Sequence, residues 1–318
     1  SNTITQLKIG TRSSKLALKQ TELVLEKLNN LPQIKKKFTF KIIKVKTKGD
    51  IDKSKILDSG YKGFFTKEID DLLLRKKIDL AIHSAKDIPS RIDNNISIAA
   101  FLKREDPRDI LLSKKNYTFN NLPKNVTIGT SSIRRKTQIR NLRPDLNIKY
   151  MRGNIETRIR KVFDENYDAV ILAQAGISRL GVDVKFTQLP IDDFSPSPGQ
   201  GAIAIVARAD DSQTISMLKK IEDADSRLEI EAERALSDFV DSGCRFPVGA
   251  YAKSNGSEMT LSVVAFSVDG KKSLQVNKTG NKTDPKSIGK SAGEELRKKG
   301  VNELALNWRE KVEEWNKT

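Results

Sequence analysis

Cys244 is the only cysteine among the 318 residues, and its neighbours are typical of a loop. Gly243, Arg245 and Pro247 surround it, whereas an unreactive cysteine is more often buried as a small apolar side chain. No disulfide can form within the chain, and one cysteine with one histidine cannot make a Cys/His metal cluster. The thiol is therefore a candidate for nucleophilic attachment, with an unreactive loop thiol as the alternative.

A second candidate is Asp87, in the segment His83-Ser84-Ala85-Lys86-Asp87-Ile88-Pro89. This segment follows an apolar run, and open α/β sheets bind ligands in the loops at the carboxyl ends of their strands. Asp87 beside Lys86 can remain ionised, stabilise a cation or transfer a proton. The alternatives are a solvated Asp–Lys pair and a structural, hydrogen-bonded His83.

Arginine is concentrated in one segment. Between Arg134 and Arg179 there are eight Arg and three Lys, although Lys outnumbers Arg in the whole chain. The planar guanidinium group binds carboxylate or phosphate through two hydrogen bonds, so this bias indicates recognition of oxyanions. About half of these arginines are expected to pair with nearby acidic residues on exposed helices, foremost Arg140, Arg143 and Arg160.

The elements that must hold these residues follow an α/β pattern. Two turns resemble each other, Ile9-Gly10-Thr11-Arg12-Ser13-Ser14 and Ile128-Gly129-Thr130-Ser131-Ser132, and each joins an apolar run to a helix-like stretch. A helix start offers unpaired N–H groups that bind an anion, and simple helix capping is the alternative. The two turns therefore predict two related domains that bind anions.

The remaining pattern extends this layout over the first two thirds of the chain. Helix-like stretches are predicted near 14–30, 64–76, 131–142 and 154–166. Strands are predicted at Leu7–Ile9, Phe40–Val45, Leu80–Ile82, Ile96–Phe101, Ile110–Leu112, Val126–Ile128, Ala169–Ala173 and Ala202–Val206. Such alternation favours sheets covered by helices on both faces. Glycines and polar residues between 47 and 65 predict a lid, with an idle surface loop as the alternative, and Ser195–Ala202 predicts a domain boundary or hinge.

Composition narrows the class of protein. A hydrophobic content of 37% supports folded cores, and no apolar run is long enough to cross a membrane. The formal charge of +17 favours anionic partners, with nucleic acid as one possibility. We expect a cytoplasmic protein, or one inside an organelle such as a plastid if a targeting segment has been removed.

The chain resembles the porphobilinogen deaminase (hydroxymethylbilane synthase) family over nearly its whole length. The resemblance rests on motifs in the family's order: residues 10–17, 83–89, 129–135, Arg152-Gly153-Asn154, Pro198-Gly199-Gln200-Gly201 and the Cys244 loop. It implies an α/β fold with two lobes like those of type II periplasmic binding proteins and a smaller C-terminal α/β domain. The expected domains are 1–103 with 200–222, 104–199, and 223–318.

The resemblance also implies the chemistry. Cys244 would hold a dipyrromethane cofactor through a thioether, and four porphobilinogen molecules would couple to it with loss of ammonia before hydrolysis releases hydroxymethylbilane. Asp87 would be catalytic, assisting departure of the amino group and stabilising cationic intermediates. The family's cofactor-binding positions fall on Lys86, Ser132, Arg134, Arg135 and Arg158, and its substrate-binding positions on Arg12, Ser14, Arg152, Arg179 and the lid residue Lys62. No metal is implied.

The partners implied are porphobilinogen and the growing polypyrrole, bound by a monomer without nucleic acid or membrane. Two other classes of protein stay open. A nucleic-acid-binding protein would explain the charge, but the chain lacks interleaved aromatic and basic repeats. A transport-type binding protein would share the two lobes, but it would not need a lone loop cysteine.

Overall fold

The computed structural model describes residues 3–47, 66–164, 166–241, 247–306, 308, 310, 311 and 314. Its strands are β1 Thr5–Arg12, β2 Phe38–Val45, β3 Leu80–Ser84, β4 Ile96–Phe101, β5 Asp109–Ser113, β6 Thr127–Thr130, β7 Asn147–Tyr150, β8 Ala169–Ala173, β9 Thr187–Gln188, β10 Ile203–Arg208, β11 Val248–Asn255, β12 Glu258–Phe266 and β13 Ser273–Asn281. Its α-helices are α1 Lys15–Asn29, α2 Pro32–Lys35, α3 Lys67–Leu74, α4 Ile133–Leu142, α5 Ile155–Asp164, α6 Gln174–Leu180, α7 Ser212–Lys219, α8 Ala224–Asp241, α9 Pro285–Lys298 and α10 Val301–Ala305.

The described residues form two compact units. The first contains 3–47, 66–105 and 202–227, and the second contains 106–201 and the residues from 228 onward. The first therefore joins the predicted N-terminal domain to most of its return segment, and the second holds most of the residues predicted for domains two and three. Residues 104, 105 and 223–227 fall in the first unit, and residues 200 and 201 fall in the second. The three-domain division itself stays a prediction.

The first unit is built on a five-stranded sheet in the order β2-β1-β3-β10-β4. β1 is parallel to β2 and β3, whereas β10 runs antiparallel between β3 and β4. Leu7, Ile9, Leu80 and Ile82 form a buried core with α1 on one face. Gly10 lies opposite Ala81, and a side chain at Gly10 would collide with Ile78.

The second unit contains a sheet with the same arrangement, in the order β7-β6-β8-β5-β9. β6 is parallel to β7 and β8, and β5 is antiparallel between β8 and β9. Alternate residues of β5 point to opposite faces, so Leu111 packs with Ile139 of α4 and Ile110 packs with Val162 of α5. Both faces are buried, which explains the continuous apolar runs of these strands.

The C-terminal part of the second unit is a three-stranded antiparallel sheet, β11-β12-β13. Leu261 and Val263 of β12 share a core with Leu236 of α8 and Leu296 of α9. The predicted α/β class is confirmed by two five-stranded sheets packed with helices and a smaller C-terminal sheet packed with helices. The likeness of the two lobes to type II periplasmic binding proteins stays a prediction. No α-helix of the described residues is long and apolar enough to span a bilayer.

Candidate functional site

The turn between β1 and α1 carries Arg12 and Ser14. Ser14 is the N-cap of α1, and its Oγ accepts a hydrogen bond from the Ala17 N–H at 3.2 Å. Thr11 is fully buried and donates its hydroxyl to the Arg12 carbonyl at 3.1 Å. The capping interpretation of this turn is therefore confirmed, and the cap leaves the Ser14 hydroxyl proton available to an acceptor.

Lys86 and Asp87 lie in a single 3₁₀ turn, Ala85–Asp87, directly after β3. The Ala85 N–H donates to the Ala202 carbonyl at 2.9 Å, which ties this turn to the start of β10. The Asp87 side chain is half-buried, and among the described residues no hydrogen-bond or ion-pair partner is found for its carboxylate. Its position is thus fixed through the backbone, while the carboxylate itself stays available.

Parallel pairing brings these two segments to one edge of the sheet. Ile9 of β1 pairs with Leu80 of β3, so the carboxyl ends of both strands meet there. Arg12, Ser14, Lys86 and Asp87 therefore share the carboxyl edge of the first sheet. Lys62, the predicted lid residue, and Cys244 lie outside the described residues.

His83 points to the opposite face of β3 from the α1 core. Its side chain is buried, and its Nε2 lies 3.6 Å from the Asp70 Oδ1 of α3, beyond hydrogen-bond distance. The two side chains pack between the strand and the helix. The hydrogen bond expected for a structural His83 is therefore not formed to a described residue.

The turn between β6 and α4 repeats the first one. Ser132 is the N-cap of α4, and its Oγ accepts the Arg135 N–H at 3.1 Å. The Ser132 N–H donates to the hydroxyl of Thr130, which is fully buried. Both turns are therefore capped helix starts at the carboxyl end of a central parallel strand.

Asp109, at the start of β5, is the centre of a buried cluster that the sequence did not predict. Its Oδ2 accepts Arg134 Nη1 at 3.0 Å, and its Oδ1 accepts Arg135 Nη2 at 3.0 Å and Gln200 Nε2 at 2.8 Å. All four side chains are buried. Burial would raise the pKa of Asp109, but the charges and hydrogen bonds of Arg134 and Arg135 outweigh it and hold that pKa far below its ordinary range.

Arg134 makes further contacts inside this cluster. Its Nη1 also donates to the Ser195 carbonyl at 2.7 Å and to Gln138 Oε1 at 3.2 Å. Arg135 Nη1 donates to the Ile171 carbonyl at 3.2 Å. Much of the donor capacity of Arg134 and Arg135 is therefore used within the protein. Such internal pairing was expected only for arginines on exposed helices.

The other predicted arginines lie in segments that follow β7 and β8. Arg158 of α5 donates from Nε to the Gly153 carbonyl at 2.7 Å and from Nη2 to Ser131 Oγ at 3.1 Å. Arg179 of α6 donates to the Gly201 carbonyl at 2.7 Å, and Arg152 is exposed in the β7–α5 loop. With Arg134 and Arg135, they place cationic groups after all three parallel strands of this sheet.

The arginines expected to be structural behave differently from one another. Arg143 forms two hydrogen bonds with Asp145, at 2.8 and 2.7 Å, which confirms the prediction. Arg140 and Arg160 are exposed and make no ion pair with a described residue. The residues that sequence reasoning missed are Asp109, Gln138 and Gln200, and only Gln200 had a signal, its place in the Pro-Gly-Gln-Gly motif.

Comparison with known proteins agrees with this arrangement. The family model "Porphobilinogen deaminase, dipyromethane cofactor binding domain" matches residues 7–216, and "Porphobilinogen deaminase, C-terminal domain" matches residues 227–298. A "Probable porphobilinogen deaminase" of Nitrosopumilus maritimus is 62% identical over 311 residues, which cover 98% of this chain and 99% of the relative. The "Porphobilinogen deaminase" of Brevibacillus brevis is 42% identical over 304 residues, which cover 93% of this chain and 96% of the relative.

The similar solved structures have low sequence identity to this chain. The effector-binding domain of QuiR in complex with shikimate has a TM-score of 0.41 and 14% identity, covering 69% of this chain and 95% of that one. The methionine-binding protein MetQ has a TM-score of 0.41 and 11% identity, covering 73% and 93%. Since the two family models together span most of the sequence, the chain belongs to the porphobilinogen deaminase family.

Proposed function

We propose that the protein couples four porphobilinogen molecules, with loss of ammonia, onto a dipyrromethane primer attached to Cys244 and releases hydroxymethylbilane by hydrolysis. The observation that carries this proposal is the half-buried carboxylate of Asp87, which has no described partner and shares a sheet edge with Arg12 and Lys86. A carboxylate fixed by its backbone is suited to repeated proton transfer and to stabilisation of a cation. We expect a monomer, and a cytoplasmic or plastid-like location, as the sequence predicted.

The donor groups of the described residues fit the dipyrromethane cofactor that defines the first family domain. Its acetate and propionate side groups are carboxylates, which guanidinium forks, hydroxyls and helix N-termini bind well. Lys86, Ser132, Arg135 and Arg158 would contact these groups, with Cys244 as the covalent attachment. Arg134 would act in the same site chiefly by holding Asp109, because its fork is largely used there.

The residues at the carboxyl edges of the two sheets would transfer protons and bind the substrate. When bound, the dipyrromethane supplies the pyrrole end to which porphobilinogen couples. Asp87 would give a proton to the amino group of porphobilinogen, which leaves as ammonia, and its carboxylate would then offset the positive charge on that substrate. The carboxylate would regain a proton from the carbon–carbon coupling, which releases one. Arg12, Ser14, Arg152, Arg179 and Lys62 would bind the substrate's carboxylates.

Replacement of Asp87 by asparagine tests this role. Asn keeps the size of the side chain but removes the acidic proton and the charge, so turnover of porphobilinogen should fall about 10²- to 10⁴-fold with the fold intact. Steady-state formation of hydroxymethylbilane and release of ammonia measure the effect. Asp93→Asn is the matched control, because Asp93 is exposed in the following loop. Normal turnover by Asp87→Asn would refute the catalytic assignment.

A further inference from the structure

Glu233 is a fully buried carboxylate in the middle of α8. Its Oε1 accepts the Gly199 N–H at 2.7 Å, and its Oε2 accepts the Ala252 N–H at 2.8 Å. One side chain thus binds the backbones of two segments that are distant in sequence. A buried carboxylate is costly unless such donors satisfy it, so this arrangement is a specific clamp.

The two segments also contact each other. The Ala250 N–H of β11 donates to the Pro196 carbonyl at 2.9 Å. Gly249 lies against Ser195, and any side chain at Gly249 would overlap Ser195. Strand β11 is therefore held against residues 195–200 both by Glu233 and by direct contact.

Residues 195–200 continue into the Asp109 cluster. The Ser195 carbonyl accepts from Arg134, and Gln200, next to Gly199, donates to Asp109. Hydrogen bonds, together with the backbone between Gly199 and Gln200, therefore join Glu233 to the Asp109 cluster. In the sequence, α8 ends at Asp241 and β11 begins at Val248, so Cys244 falls between the two elements that this clamp fixes.

We propose that Glu233 is a positioning residue for cofactor attachment. Glu233 holds α8 and β11 against the Gln200–Asp109 cluster, and these are the two elements between which Cys244 lies in the sequence. This proposal rests on the proposed function, since it assumes that Cys244 receives the primer. It predicts a defect in loading of the primer rather than in turnover by protein that is already loaded.

Glu233→Gln is the direct test, because glutamine keeps the shape but turns an NH₂ group towards one backbone N–H. Loading is followed by intact-protein mass spectrometry on the purified full chain during incubation with porphobilinogen, and turnover is expressed per loaded molecule. We expect loading at least about tenfold slower, since misplacement of reacting groups by about 1 Å costs up to ~10²-fold in rate. Turnover per loaded molecule should stay within about threefold of that of the parent protein, a much smaller change than the ~10²-fold loss of rate that misplaced reacting groups can cause.

Glu229→Gln is the matched control. Glu229 lies on the same helix and accepts the Ser254 N–H of β11 at 2.8 Å. It should load normally. Gly249→Ala is a second variant that separates β11 from Ser195 without removing a charge, and it should load slowly like Glu233→Gln.

The outcomes separate the two proposals. If the parent protein never gains two pyrroles, the proposed function fails. If the parent loads and Glu233→Gln and Gly249→Ala load at the parent rate, only the positioning role is overturned. Equal losses of loading and of turnover per loaded molecule would also overturn it. If circular dichroism shows that Glu233→Gln does not fold, the loading rate of Gly249→Ala alone decides whether the positioning role holds.

Discussion

At the residue scale, Asp109 shows how a charge can be buried in this protein. Two guanidinium groups and one amide bind its carboxylate, so its desolvation is offset by direct partners. Removing the charge would leave Arg134 and Arg135 buried without their main acceptor. The cluster therefore supports the second sheet edge as well as the predicted cofactor-binding arginines.

The substitution Asp109→Asn should lower the free energy of unfolding by about 3–5 kcal/mol, the usual cost of breaking a buried ion pair. Urea unfolding at neutral pH measures this change. Asp145→Asn, which removes the partner of Arg143 at the surface, should have only a small effect. A loss below about 1 kcal/mol for Asp109→Asn, as at exposed pairs, would show that the cluster relaxes around the amide.

The same variant has a defined pH dependence. Because the pKa of Asp109 is depressed in the folded state, its contribution to stability is complete above its ordinary value of 3.8 and is lost only as the pH falls towards the folded value. The difference in the free energy of unfolding between the parent protein and Asp109→Asn should therefore be unchanged from pH 7 to pH 5. This difference in stability should become smaller only in strong acid.

Sequence reasoning succeeded for local pairs and failed for this distant one. Arg143 and Asp145 are two residues apart, so their pairing could be predicted. Asp109 lies 25 residues before Arg134, and only the antiparallel position of β5 beside β8 brings it to α4. No local pattern in the sequence carries that information.

At the element scale, the predicted strands and helices of both sheets are present, with boundaries close to the predicted ones. The apolar runs at 80–82, 110–112 and 169–173 are central strands buried on both faces, which gives the clearest signal. The short strand β7, Asn147–Tyr150, was missed because it is a half-exposed edge strand with polar residues. Helix α6, Gln174–Leu180, was missed because it begins immediately after β8 with no polar cap.

Packing of α9 on α8 depends on glycine. A side chain at Gly289 would lie 2.5 Å from the Ala232 carbonyl oxygen and 2.7 Å from the Ala235 Cβ. Because these are rigid groups of α8, Gly289→Ala should destabilise the protein by about 2–3 kcal/mol, measured by chemical unfolding. Ser291→Ala, exposed on the same helix, should change stability by less than about 0.5 kcal/mol. Equal stability of the two variants would mean that the helices separate without cost.

At the scale of the whole molecule, two sheets share one strand order and one kind of capped turn. The chain builds most of the first sheet, then the second, and returns through β10 after the Pro-Gly-Gln-Gly segment. The paired turns predicted this repetition, and the return strand followed from the family resemblance. Membership of the porphobilinogen deaminase family favours an enzyme over the nucleic-acid-binding and transport alternatives. The formal charge of +17 is then suited to a substrate and product rich in carboxylates.

The central claim is that Cys244 carries the primer for polymerisation. Intact-protein mass spectrometry of the purified chain after exposure to porphobilinogen tests it most directly, with Cys244→Ser measured in parallel. The account predicts an added mass of two linked pyrroles on the parent protein, located on the peptide that contains Cys244, and neither adduct nor activity in Cys244→Ser. An unmodified parent protein that turns over porphobilinogen at full rate, or a fully active Cys244→Ser, would contradict it.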